Sequence, residues 1–249
     1  MLFVSQRNGA LGIFKQPISQ DTAEPVMTGP QDAWGPRLSA DGAWILYLES
    51  PKGAAPSAPV RVMRIPVSAG VPQLVFETRN LSTYNCARAP ASLCVISEES
   101  PDGKQLTVTE FDPGKGRGNV LRTIQKDPTA YFRGRISPDG AIYALSRMEE
   151  QEIHIRLLSL AGGADREVTV KGWPNLTGIE WSTDGKGFYC GSEMPLRGAL
   201  LYVDLKGNAV VLWQPEGSSA TWGVPSPDGR YLAIRGTVHN RNVWLLEGF

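Results

Sequence analysis

The chain has 249 residues, 41% hydrophobic and 20% charged, with 27 glycines and 19 prolines, enough to bury a sizeable core in the composition of an ordinary globular protein. Its 25 Lys and Arg offset 25 Asp and Glu for a net charge of +0, so no long-range field draws in nucleic acid or an anionic membrane, and no nucleic-acid contact is expected. The longest charge-free stretch, residues 65–76, holds two prolines and falls well short of the roughly 18 residues a spanning helix needs. The first residues show no charged segment leading into an apolar one, so no signal peptide is visible.

In chain order, the apolar runs are short, rich in Val, Ile, Tyr and Trp, and bounded by Gly, Pro and Asn, which predicts strands. Residues 1–30 supply three, at 2–6, 11–18 and about 24–27. In 31–80, Ser39-Ala40-Asp41-Gly42 is followed by runs at 44–48, 60–65 and 73–76. In 81–128 the matching place reads Arg88-Ala89-Pro90-Ala91, yet the apolar run 92–96 survives and is followed by 106–111 and 119–124. Residues 129–174 carry Ser137-Pro138-Asp139-Gly140, then 142–146, 154–160 and 167–170. Residues 175–217 carry Ser182-Thr183-Asp184-Gly185, then 187–192, 199–205 and 209–213. In 218–249, Ser226-Pro227-Asp228-Gly229 precedes 231–236 and 242–247. No segment keeps a 3.6-residue apolar period for three turns, so the chain is predicted all-β.

The motif serines stand 98, 45 and 44 residues apart, and the long interval is about two periods of the others. Four strands every 40-odd residues make the blades of a β-propeller. The expected fold is therefore one all-β propeller domain over 1–249, with antiparallel four-stranded blades at 31–80, 81–128, 129–174 and 175–217. Partial blades at 1–30 and 218–249 bring the count to about six and suggest the C-terminal part of a longer chain. The motif itself reads as a hairpin turn. Ser accepts from the backbone, Pro presets φ, Asp tolerates the third position, and Gly takes the left-handed conformation that rejoins the ladder. A metal ligand or catalytic acid is the competing reading of the repeated aspartates.

The period, the SPDG turn and the apolar strand after it resemble the TolB-like propeller repeat of bacterial proteins. The segments Thr169-Val170-Lys171-Gly172-Trp173, Leu200-Leu201-Tyr202-Val203-Asp204-Leu205, Thr221-Trp222-Gly223 and the closing Asn242-Val243-Trp244-Leu245-Leu246-Glu247-Gly248-Phe249 resemble, more closely, propellers that follow a protein-kinase or winged-helix domain in bacterial signalling proteins. That resemblance implies a sensor or protein-interaction module, extracytoplasmic when tethered to a cytoplasmic effector. It also implies a kinase or winged-helix domain, covalent or encoded nearby, as a companion.

Chemistry is sparse. The two histidines are His154, on a strand, and His239, in a loop, and neither has a sequence partner for acid–base work. No GxSxG, HExxH or Gly-Lys-Ser/Thr loop occurs. Gly114-Lys115-Gly116-Arg117-Gly118 leads into a strand rather than a helix, so it reads as a flexible connection, not a phosphate cradle. Cys86, Cys94 and Cys190 offer no metal spacing. Cys86 and Cys94 could lie on neighbouring strands and are read as buried free thiols. Asn80-Leu81-Ser82 and Asn175-Leu176-Thr177 match the glycosylation pattern. No catalytic residue, cofactor or metal is expected.

A binding face is expected on the first strand of each blade, which lines the channel. Two places before the motif serine stand Arg37, Arg135, Glu180 and Val224. Four places before stand Gly35, Arg133, Gly178 and Trp222, and strand alternation puts both sets on one face. Arg37, Arg133, Arg135, Glu180 and Trp222 are the candidate site, for an unknown protein or a small acidic or peptide-carboxylate ligand. Alternatively the Arg and Glu groups pair with each other and trapped water. The expected function is non-enzymatic ligand or protein binding. A propeller-scaffold lyase or hydrolase, or the gating domain of a peptidase, is the alternative.

Overall fold

The computed structural model describes residues 1–238 apart from 8, 56, 148–151 and 194–197. The described residues form twenty-one strands and no helix. His239, the 242–247 run and the closing octapeptide lie outside them.

A first sheet holds β1 (Leu2–Ser5), β2 (Gly12–Lys15) and β3 (Glu24–Met27). Four sheets of four follow. They are β4 (Gln31–Leu38), β5 (Trp44–Pro51), β6 (Val60–Pro66) and β7 (Gln73–Thr78); β8 (Leu81–Cys86), β9 (Cys94–Glu99), β10 (Gln105–Asp112) and β11 (Gly116–Gln125); β12 (Phe132–Ile136), β13 (Ile142–Arg147), β14 (Ile153–Ser159) and β15 (Arg166–Val170); and β16 (Leu176–Trp181), β17 (Gly187–Ser192), β18 (Ala199–Asp204) and β19 (Ala209–Trp213). A hairpin of β20 (Ser218–Pro225) and β21 (Leu232–Val238) comes last. In every sheet the strands neighbour one another in chain order, the meander of a propeller blade. The expected count of about six blades is not confirmed: four sheets are complete among the described residues.

The chain forms two compact units, Met1–Arg147 with Ile155–Glu167, and Met148–His154 with Val168–Phe249. In the first unit the β4–β7 and β8–β11 sheets each contribute to a core on either face. On β5, Ile45 and Tyr47 join Ile13, Met63 and Ile65 in one core, while Leu46 and Leu48 join Val62, Tyr84, Ile96 and Phe111 in another. Val95, Leu106 and Val108 build a third core with Ile136, Tyr143 and Leu145. Sheets stacked on both sides leave no polar face, which is why these strands read as unbroken apolar runs rather than alternating ones.

The repeated turn is built alike each time. At Ser137 the hydroxyl donates to Asp139 Oδ1 at 2.5 Å and accepts the Ile142 N–H at 2.9 Å. Asp139 Oδ1 also takes the Ala141 N–H at 3.0 Å, and the Gly140 N–H reaches the Ser137 carbonyl at 3.0 Å. Gly42, Gly140, Gly185 and Gly229 have φ of 71°, 75°, 69° and 71°, a conformation in which any side chain is strained. Ser100-Pro101-Asp102-Gly103 folds identically, with Gly103 at φ 69°. It joins the second and third strands of its sheet rather than the first and second, so it falls outside the period.

In that same sheet the first hairpin departs from the rule. The Ala87 N–H donates to Leu93 O, as the Ser39 N–H donates to Trp44 O. Ala87 therefore holds the serine's place, one residue before the position inferred from the period, and the loop is one residue longer. Cys86 pairs with Cys94 across β8 and β9 and the two form a disulfide, correcting the free-thiol reading; Cys190 is free and buried. The Gly114–Gly118 connection is also tighter than expected. Asp112 Oδ1 takes the N–H groups of Gly114 and Lys115, and residues 116–118 already belong to β11. Asn80 and Asn175, with φ of 55° and 49°, each stand just before a first strand, so the two glycosylation matches mark a repeated backbone bend.

Candidate functional site

In the first unit the first strands of three successive sheets lie side by side, β8 between β4 and β12. Tyr84 on β8 donates its hydroxyl to the carbonyls of Gly35 and Leu46, and burial holds that phenol well above its ordinary pKa. On the other side, Asn85 Oδ1 accepts the Ile136 N–H at 2.8 Å, and its amide donates to Thr83 Oγ1 at 3.2 Å and Gly134 O at 3.4 Å.

The structure divides the five expected residues into three and two. Arg37, Arg133 and Arg135 stand on β4 and β12 of the first unit. Arg135 is 4% exposed, and its Nη1 donates to Thr83 Oγ1 at 3.1 Å and Gly134 O at 2.8 Å. Arg133 is half-buried with its guanidinium 5.3 Å from the centre of the exposed Tyr131 ring. Arg37, also half-buried, is near enough for its charge to act on the Tyr84 phenol. The alternation argument fails on β4, where the register shifts between Trp34 and Arg37 and Gly35 adopts φ 65°; a bulge there re-aims the strand.

Glu180 and Trp222 belong to the second unit, on β16 and β20. These strands are joined by Thr177 Oγ1 donating to Thr221 O at 2.8 Å. The Trp222 indole lies on Gly178, where an added methyl carbon would sit 2.9 Å from Cδ2. Glu180 is half-buried opposite Tyr189.

Thr83 and Asn85 were missed by sequence reasoning. They take, in their sheet, the places that Gly35 and Arg37 or Arg133 and Arg135 take in theirs, but the degraded turn after Cys86 hides the count. The signal was the polar Ser-Thr-Tyr-Asn run inside β8, where four-strand spacing required a first strand.

The repeated aspartates are accounted for by the turns. In each, the serine hydroxyl and then backbone N–H groups hold the carboxyl below its ordinary pKa; at Asp228 the Arg230 side chain adds to the same effect. Among the described residues no group of His, Cys, Asp and Glu could hold a metal. His154 meets Thr169 Oγ1 at 3.3 Å and Glu152 at 3.9 Å. A cleft of about 190 Å³ lies at one end of the β4–β7 sheet, lined by Gln31 at the start of β4 and by Glu49, Arg61 and Glu77 on the strands that follow. There Arg61 meets Glu77 at 3.1 Å and the buried Glu49 at 3.8 Å. Among the described residues no helix is long and apolar enough to cross a membrane.

No protein-family model matches the chain, and no curated protein matches it in sequence. Solved structures do match in shape. A protein assigned as TolB from Agrobacterium tumefaciens is 19% identical with a TM-score of 0.64, over 87% of this chain and 74% of that one. TolB from Acinetobacter baumannii is 12% identical with a TM-score of 0.67, over 95% of this chain and 63% of its own. An oligogalacturonate lyase in complex with manganese is 12% identical with a TM-score of 0.61, over 93% of this chain and 71% of that one. At these identities the likeness speaks for the fold alone: the chain is built as a β-propeller.

Proposed function

We propose that this chain is a non-enzymatic propeller that binds a protein partner, as the sensor or interaction module of a bacterial signalling protein. The observation that carries the reading is the state of the polar groups on the first strands. Asn85, Thr83 and Arg135 are tied into hydrogen bonds between neighbouring sheets. Groups that fix a scaffold in this way present a surface rather than move protons. Arg37 and Arg133, half-buried on the same first strands, suit an acidic side chain or peptide carboxylate on the partner. The Cys86–Cys94 disulfide favours an oxidising, extracytoplasmic setting. A kinase or winged-helix companion domain rests on the sequence resemblance.

The likeness to a lyase favours a second reading, an enzyme on the same scaffold. Assay of the purified chain on oligogalacturonates with and without manganese, and on aryl amides, separates the two. Turnover above a heat-inactivated control would support the enzyme; none is expected, with a protein retained instead when bacterial extract is passed over the immobilised chain.

A further inference from the structure

Three charged residues stand in a row across the β4–β7 sheet: Glu49 on β5 pairs with Arg61 on β6, and Arg61 with Glu77 on β7. All three line the cleft at the end of that sheet. Arg61 is committed to one side, its Nε donating to Glu77 Oε1 at 3.1 Å. Its Nη1 stays 3.8 Å from Glu49 Oε2, beyond hydrogen-bond reach. Glu49 is 8% exposed, and among the described residues its carboxylate accepts no hydrogen bond. The buried Tyr47 hydroxyl, two residues back on β5, makes none either. A buried carboxylate in that state is costly unless something donates to it, and the cleft is the way in.

We propose that this cleft binds an alkylammonium group, the chemistry shared by a lysine side chain and a free aliphatic amine. Glu49 receives the ammonium, and Pro51, Ala58 and Pro59, which also line the cleft, flank the hydrocarbon stem. Two carboxylates against one guanidinium leave the lining with a net negative charge, which selects a cation. The size fits: an apolar cavity of about 150 Å³ takes a benzene ring, so about 190 Å³ holds roughly six to eight heavy atoms. A metal ion is not the occupant, because among the described residues no third carboxylate, thiolate or imidazole joins Glu49 and Glu77. A guanidinium is broader than an ammonium and would be set against that of Arg61. The site takes a base where the first-strand arginines take an acid, and it does not rest on the partner-binding reading.

Titration of the full chain with butylammonium at constant ionic strength, followed by NMR shifts, tests this. A dissociation constant on the order of 1 mM is expected for so small a ligand. Its neutral counterpart, 1-butanol, should bind about tenfold more weakly or worse. Glu49→Gln should weaken butylammonium binding by a similar factor, whereas Arg61→Gln, which removes the competing cation, should tighten it about twofold or more. Nα-acetyl-lysine amide in place of butylammonium separates the sources: tighter binding assigns a peptide lysine, weaker binding a free amine. No butylammonium binding up to about 20 mM would overturn the proposal, as would equal binding of 1-butanol, binding indifferent to Glu49→Gln, or binding weakened by Arg61→Gln. The comparison with 1-butanol needs no variant, so it decides the matter whatever Glu49→Gln does to the fold.

Discussion

Asn85 on β8 accepts the Ile136 backbone N–H of β12 at 2.8 Å, and both groups are buried. Asn85→Ala would leave that N–H and the Gly134 carbonyl without these bonds. The expected loss is about 2–3 kcal/mol of unfolding free energy, read as a lower urea midpoint with an unchanged slope. A loss below about 0.5 kcal/mol would mean that apolar packing alone holds these sheets together.

Gly134 makes the same point sterically. An added methyl carbon there would sit 1.9 Å from the Tyr143 hydroxyl oxygen, and Tyr143 is 0% exposed. Gly134→Ala should therefore cost about 2 kcal/mol by overpacking. The paired change Gly134→Ala with Tyr143→Phe should recover part of it, measured in the same denaturation series.

The serine–aspartate turns give stability a pH dependence of known sign. Their carboxyls titrate lower in the folded chain than in the unfolded one. Their contribution is thus present above the unfolded value of about 3.9 and lost as pH falls through the folded value. Asp139→Asn should be less stable than wild type at pH 7, and the gap should close below about pH 4. A gap constant from pH 7 to pH 2.5 would exclude the charge as its source.

These turns were legible because Ser-x-Asp-Gly specifies its own geometry within six residues, whatever the rest of the chain does. The blades were legible for a related reason: burial on both faces writes each central strand as one apolar run. Other features depended on register between distant strands. The Cys86–Cys94 bond needs β8 and β9 aligned at that pair, and the longer loop after Cys86 removed the letters that would have aligned them. The bulge at Gly35 was hidden because a glycine in a strand does not say which way the next side chain turns. Ser100-Pro101-Asp102-Gly103 was invisible to a search by period, since it serves the second hairpin of its sheet. The five-residue candidate face mixed groups that the fold uses differently, Arg135 in buried bonds and Arg133 half-buried beside the Tyr131 ring.

The disulfide closes a loop of eight residues in sequence separation, and the chain-entropy relation puts its contribution at about 2.5 kcal/mol. Replacing Cys86 and Cys94 together by Ala should lower stability by that order, and adding reductant to the wild type should do the same. Unchanged melting in reductant would show that the thiols are not joined in the folded protein, and would remove the support for an oxidising location.

Arg37 and Arg133 are the groups proposed to meet the partner, so the decisive comparison is between the wild-type chain and an Arg37→Glu, Arg133→Glu double variant of matched thermal stability. Both are immobilised, challenged with the same bacterial extract, and their bound proteins quantified by mass spectrometry. At least one protein is expected to be enriched about tenfold or more on the wild type and to elute with salt. Identical retention on the two surfaces would contradict partner binding through these arginines.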